Sequence, residues 1–226
     1  MSAMLPWFRR GRVKSRGQSL VEFTVLLPVL LIMISGLIEF GIMLNYYLDV
    51  IDAAREAARF ASDADPIRDP NPPYGYLDPN PAFYMQVQTL AMESLRAASD
   101  NRIDWPLMKA MYGGTFCDHV PGDIVISAFG IRNNAGSPVV DRRFPNGFGD
   151  NGLSMCNHYT SKMTSAQVQA RLDPVAPTSG LVMVEVFFDY DQVLALPWIT
   201  AFVPNPIRLH AYTIMPNANV EPTPTP

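Results

Sequence analysis

Residues 18–64 read QSLVEFTVLLPVLLIMISGLIEFGIMLNYYLDVIDAAREAARFASDA, and this stretch decides the fold. Its first part is apolar. Between Phe23 and Leu48 the only charged residue is Glu39. At about 1.5 Å of rise per residue that run makes roughly 39 Å of helix, enough to cross a hydrocarbon core of about 30 Å. A cleaved secretory signal has an apolar core of only about 7–15 residues, and the nearest small-residue cleavage candidate lies well downstream, around residues 57–64. The length therefore favours a membrane span. The helix is expected to continue beyond the bilayer. Asp49–Ser62 is alanine-rich and free of Gly and Pro, with opposite charges three apart at Asp52/Arg55 and Glu56/Arg59. One helix from Leu20 to Ala64 would be about 65 Å long. Pro28 should kink it locally, and Asp65-Pro66 should end it.

Outward from this stretch the charge is asymmetric. Residues 1–17 hold Arg9, Arg10, Arg12, Lys14 and Arg16 and no acid, while all 21 acidic residues lie beyond them. Short basic flanks stay on the cytoplasmic side of a membrane, so the acidic remainder is expected on the far side. Outside the leader the sequence offers no basic surface for nucleic acid.

Residues 65–81 read as a proline-rich connector, in which Asp69-Pro-Asn-Pro recurs at Asp78-Pro-Asn-Pro. Asn80-Pro81 looks like a helix start, and Ala82–Ala98 like a helix with Phe83, Val87, Leu90 and Ser94 or Leu95 along one face. Trp105–Tyr112 suggests one or two helical turns, Ile124–Ile131 is β-prone, and the Asn-, Gly- and Pro-rich residues 132–152 read as a long loop. Thr164 and Gln167 suggest a capping box for a short helix to Leu172. Leu181–Tyr190 is the clearest strand. Its Val182, Val184, Val186, Phe188 and Tyr190 side is apolar, and its Met183, Glu185, Phe187 and Asp189 side is mixed, as expected for a sheet with one buried face. Ile207–Ile214 is a second strand candidate. The tail 221–226 lacks core-forming residues. The expected class is α+β: a long N-terminal transmembrane helix (18–64), then an extracytoplasmic domain over 82–220 with a small, mainly antiparallel sheet and short helices.

Directly before the apolar run stands Arg16-Gly17-Gln18-Ser19-Leu20-Val21-Glu22-Phe23. This resembles the processing site of type IV pilin-like precursors. With Val21-Glu22-Phe23, Pro28, Glu39-Phe40-Gly41 and the AAREAA block beginning at Ala53, residues 16–62 resemble the TadE/TadG-like family of pilus-assembly pseudopilins; residues 181–215 do so more weakly. The resemblance implies a pilin-like fold and cleavage after Gly17 by a prepilin peptidase. Gln18 then becomes the first residue, and Glu22 the fifth. It also implies assembly with other pilin or pseudopilin subunits through helix packing, at a pilus-assembly platform in the cytoplasmic membrane or in a Tad/Flp-type pilus engaged in surface adhesion. The resemblance further implies that Glu22 meets the α-amine of a neighbouring Gln18, which would offset the cost of a carboxylate in lipid; the alternative is that it rests in the headgroup region. Glu39 is about 100° around the helix from Glu22. With Ser35, Gly36 and Gly41 nearby it has two readings, a helix–helix contact or snorkelling to the interface.

Cys117 and Cys156 fall in the part expected outside the cytoplasm, where two cysteines usually form one disulfide. Cys117-Asp-His119 and Cys156-Asn-His158 also provide four zinc-type donors, though not at finger spacing, and two free thiols are the third option. Asn146–Gly152 reads as a flexible loop more readily than as a calcium loop. The three histidines, His119, His158 and His210, accompany no catalytic or cofactor motif, so no enzyme activity, cofactor or metal is expected. Two function classes remain: a minor pilin or pseudopilin, and a tethered binding or sensory ectodomain whose helix is only an anchor in membrane lipid.

Overall fold

A computed structural model describes residues 18–67, 80–145, 149–173 and 180–220. The basic leader with Gly17, the Asp-Pro-Asn-Pro connector, residues 146–148 and the tail lie outside these described residues.

Helix α1 runs unbroken from Gln18 to Asp63, through Pro28. Helix α2 (Pro81–Ala98) follows, then α3 (Trp105–Tyr112) and a 3-10 segment over Gly113–Asp118. The strands are β1 (Gly122–Asn134), β2 (Ser137–Phe144), the two-residue β3 (Leu153–Ser154), β4 (Gly180–Tyr190) and β5 (Ile207–Asn217). Short helices α4 (Ser165–Gln169) and α5 (Pro197–Thr200) sit in the connections on either side of β4. The strands form one antiparallel sheet in the order β2-β1-β4-β5, with β3 pairing β1. The fold is the expected α+β arrangement.

The alanine-rich half of α1 is the spine of this domain rather than a stalk beneath it. Val50, Ala53, Ala54, Ala57, Ala58 and Ala61 are all fully buried. Their spacing covers two adjoining helix faces, one against α2 and one against β4 and β5. Small side chains let three layers approach closely, and the larger groups come from the neighbours: Phe83, Tyr84, Val87 and Leu95 of α2, and Val182, Val184, Val186 and Phe188 of β4. The α2 face thus contains Phe83, Val87 and Leu95 as expected, but Tyr84, Ala91 and Met92 are buried where Leu90 is only half-buried. Asn217 closes the far end of α1, where its Nδ2 donates to the Ala61 carbonyl at 2.7 Å and the Ala64 carbonyl at 2.8 Å. Those carbonyls have no partner within the helix, which explains a fully buried asparagine. Asn80 starts α2 in a related way, accepting from the Ala82 and Phe83 amides.

Two sequence expectations need correcting. The long loop over 132–152 contains strand β2, joined to β1 through a tight turn at Ala135-Gly136. Both turn residues have positive φ, 51° and 90°. This suits the twist of a two-residue hairpin, and glycine takes the second value without steric cost. Pro138 is tolerated because β2 is an edge strand. The second correction concerns β4, which is buried on both faces. Residues 149–173 fold back across its mixed face, where Met163 and Val168 pack on Phe129, Ile131 and Met183. Glu185 is fully buried there, accepting from the Lys162 amide at 3.0 Å and lying 3.0 Å from His210 Nε2. Arg143 pins the crossing segment by donating to the Met163 carbonyl at 2.7 Å and to Ser127 Oγ at 2.8 Å. The Thr164–Gln167 capping box forms, but α4 stops at Gln169, short of Leu172.

Candidate assembly and membrane interface

From Ser19 to Ile34, α1 has no cover from its own domain. Large apolar side chains from Leu20 through Leu48 are exposed, among them Phe23, Leu30, Leu37 and Phe40. By length and composition this helix is a candidate membrane span. Gln18 opens it, and Glu22 lies on its exposed surface near that end.

Where the helix leaves the domain, four sets of contacts grip it. Asp49 accepts from Arg102 Nη2 at 2.9 Å. The Arg102 guanidinium lies 5.1 Å from the Tyr46 ring centroid, within cation–π range. Tyr46 stacks on Phe188 and tilts against Tyr190, with centroids 5.7 and 5.3 Å apart. Tyr46 is thus a domain contact, while the neighbouring Tyr47 remains exposed.

The third grip is Glu39. Its carboxylate accepts from the Tyr190 hydroxyl at 2.6 Å, the Val193 amide at 2.9 Å and the Leu194 amide at 2.7 Å. The residue is only 4% exposed. Burial, and after it the Glu39 carboxylate, push the Tyr190 hydroxyl above the ordinary tyrosine range, so it stays protonated and donates. The sequence readings of Glu39 included no such partner within the chain. Both of its oxygens are bound by the chain's own β4–β5 connection. The fourth contact is Trp198 of that connection, whose Nε1 donates to Ser35 Oγ at 3.1 Å.

Away from the helix, Asp123 organises the start of the sheet. Fully buried, it accepts from its own Ile124 amide at 2.8 Å, from the Cys156, His158 and Tyr159 amides at 2.9–3.0 Å, and from the Ser154 hydroxyl. This loop holds Cys156, which is joined to Cys117 with a sulfur–sulfur distance of 2.04 Å. The two histidines of the Cys-x-His pairs have other contacts. His119 stacks on Tyr112, and His158 Nδ1 lies 3.0 Å from the Gly122 carbonyl. Protein recovered without reductant should therefore take up no alkylating reagent until it is reduced, as read by intact-mass spectrometry; two alkylated cysteines before reduction would contradict the bond. Nothing in the sequence singled out Asp123, although a lone carboxylate opening an apolar strand is the available signal. Tyr190 reads in the sequence only as a strand residue.

These features define a class: an α+β domain built around one end of a helix whose other end is apolar and exposed. Residues 17–59 match the family described as TadE-like protein. No curated protein and no solved structure matches the chain. The family match agrees with the TadE/TadG-like resemblance read on residues 16–62. It covers both the exposed half of α1 and most of the packed half, and it includes Glu39.

Proposed function

We propose that the chain is a minor pilin or pseudopilin of a Tad/Flp-type pilus, a structural rather than a catalytic protein. Its exposed half-helix is the assembly element. The TadE-like match supports involvement in Tad pilus systems. The observation that carries the finer reading is the division of α1: one half is packed into its own domain, and the other presents an apolar surface with a carboxylate near its start. In lipid, such a surface is suited to packing against helices of neighbouring subunits. The prepilin peptidase would trim the leader after Gly17, and Glu22 would meet the new α-amine of Gln18 on a neighbour. The α+β domain would stand outside the cytoplasmic membrane, and pilus subunits and the assembly platform would be its partners.

N-terminal sequencing of the chain from cells with and without the peptidase tests this. Gln18 as first residue only when the peptidase is present is the expected result. An intact Met1 in both strains argues for a permanently anchored accessory protein. Glu22→Ala then separates assembly from anchoring. It should leave membrane insertion intact and lower incorporation into filaments, whereas a tethered binding domain would be indifferent to it.

A further inference from the structure

The β4–β5 connection, residues 191–206, is the least explained surface of the domain. From Gln192 to Pro206 it contains no charged residue. Phe202 is 88% exposed, and Val193, Trp198 and Val203 are exposed as well. Surface apolar side chains scattered singly need no explanation, but a continuous uncharged segment does. Its place in the fold is specific. It is fixed to α1 at Ser35 and Glu39, inside the apolar run, and with Gly36, Phe40 and Met43 it lines one apolar groove.

We propose that this connection is a second membrane-inserted element, a wedge seated in the acyl region of the leaflet on the domain's side. The proposal rests on reading α1 as a membrane span. Length supplies the first argument. From Phe23 to Ile34, below the lowest contact with the domain, the free helix is only about 18 Å long, and from Gln18 it is roughly 26 Å. A hydrocarbon core is about 30 Å thick. A span of that depth takes in Ser35 and Glu39, and whatever is bound to them enters with it. The second argument is hydrogen bonding. Backbone polar groups in lipid need internal partners. Glu39 takes the Val193 and Leu194 amides. The Leu196 carbonyl receives the Ile199 and Thr200 amides, and the Ile199 carbonyl receives those of Phe202 and Val203. Gln192 donates its carboxamide to the Val203 and Pro204 carbonyls, and Asn205 Oδ1 accepts from the Gln192 amide. Pro197, Pro204 and Pro206 have no amide hydrogen to satisfy. Eight of the twelve amides between Gln192 and Asn205 thus find acceptors among the described residues, while Gln192 Oε1 is buried without a partner there. Asp191, exposed at the segment's first position, and the Arg208–Asp189 pair at 3.3 Å mark the charged surface where the uncharged run ends.

Site-directed nitroxide labelling of the full chain tests this in vesicles of phosphatidylcholine and phosphatidylglycerol. The unsubstituted protein, with its cysteines joined, is the blank. Labels are placed one at a time at Phe202→Cys, at Leu30→Cys in the exposed half of α1, and at Asn134→Cys on the distant hairpin. Collision rates with oxygen, which concentrates in acyl chains, are compared with those of a water-soluble nickel complex. The expected result is a ratio of oxygen to nickel collisions at residue 202 several-fold above that at 134 and close to that at 30. A lipid-like ratio at 30 with a water-like ratio at 202 overturns the wedge and leaves the span standing. A water-like ratio at 30 removes the span itself, and the wedge with it. Protection of residue 202 from both reagents also overturns the proposal, because it means that another protein surface covers the segment.

Discussion

Asp123→Ala should destabilise the domain by about 3–5 kcal/mol, the largest loss expected from a single polar substitution here. The carboxylate is fully buried and collects four backbone amides and the Ser154 hydroxyl. Alanine leaves the Ile124 and Cys156 amides buried without acceptors. Each such orphan costs about 1–3 kcal/mol, and the charge-assisted bonds are lost as well. For a domain of this size the loss corresponds to a fall on the order of 10 °C in Tm, measurable by calorimetry on the full chain in detergent micelles. Asp123→Asn keeps one acceptor oxygen and should recover part of the loss. A Tm within a degree or two of the parent for Asp123→Ala would show that residues 154–159 find their order elsewhere.

The parts of this fold legible in the sequence are those fixed by local pattern. The long helix is written in an apolar run followed by alanines at helical spacing, and the same stretch carries the TadE-like match. The start of α2 follows from Asn80-Pro81, because capping and proline geometry act within one turn. What could not be read depends on distant partners. The polar, proline-containing β2 is a strand only because β1 pairs with it. Glu185 and Asp189 gave the mixed side of β4 the look of a solvent face, yet a segment with no periodicity of its own covers Glu185. The alanines at 53–61 announce a helix but not that two different layers press on it. Glu39 is the clearest case. Sequence spacing offered only neighbours on its own helix, whereas the groups that bind it stand more than 150 residues away.

That separation makes Glu39→Ala the more informative substitution. It deletes the acceptor for the Tyr190 hydroxyl and for two adjacent amides, so the β4–β5 connection loses its tie to α1. The cost should be about 2–3 kcal/mol, concentrated on one local opening rather than on the whole domain. At about 1.4 kcal/mol per decade, amide exchange at Val193 and Leu194 should accelerate roughly 100-fold, while amides in β1 change little. Glu39→Gln retains one acceptor oxygen and should give a smaller acceleration. Membrane insertion should survive both changes, since each removes a charge from an apolar helix. The amide readout also distinguishes this role from helix–helix assembly. If the carboxylate served a neighbouring subunit, removing it would weaken association between copies and leave exchange at Val193 and Leu194 unchanged. Exchange that accelerates in isolated, monomeric protein can come only from a bond within the chain. In that case the glutamate inside the apolar run acts by holding the domain at a fixed height on its own helix, and so fixes which residues of α1 are left exposed.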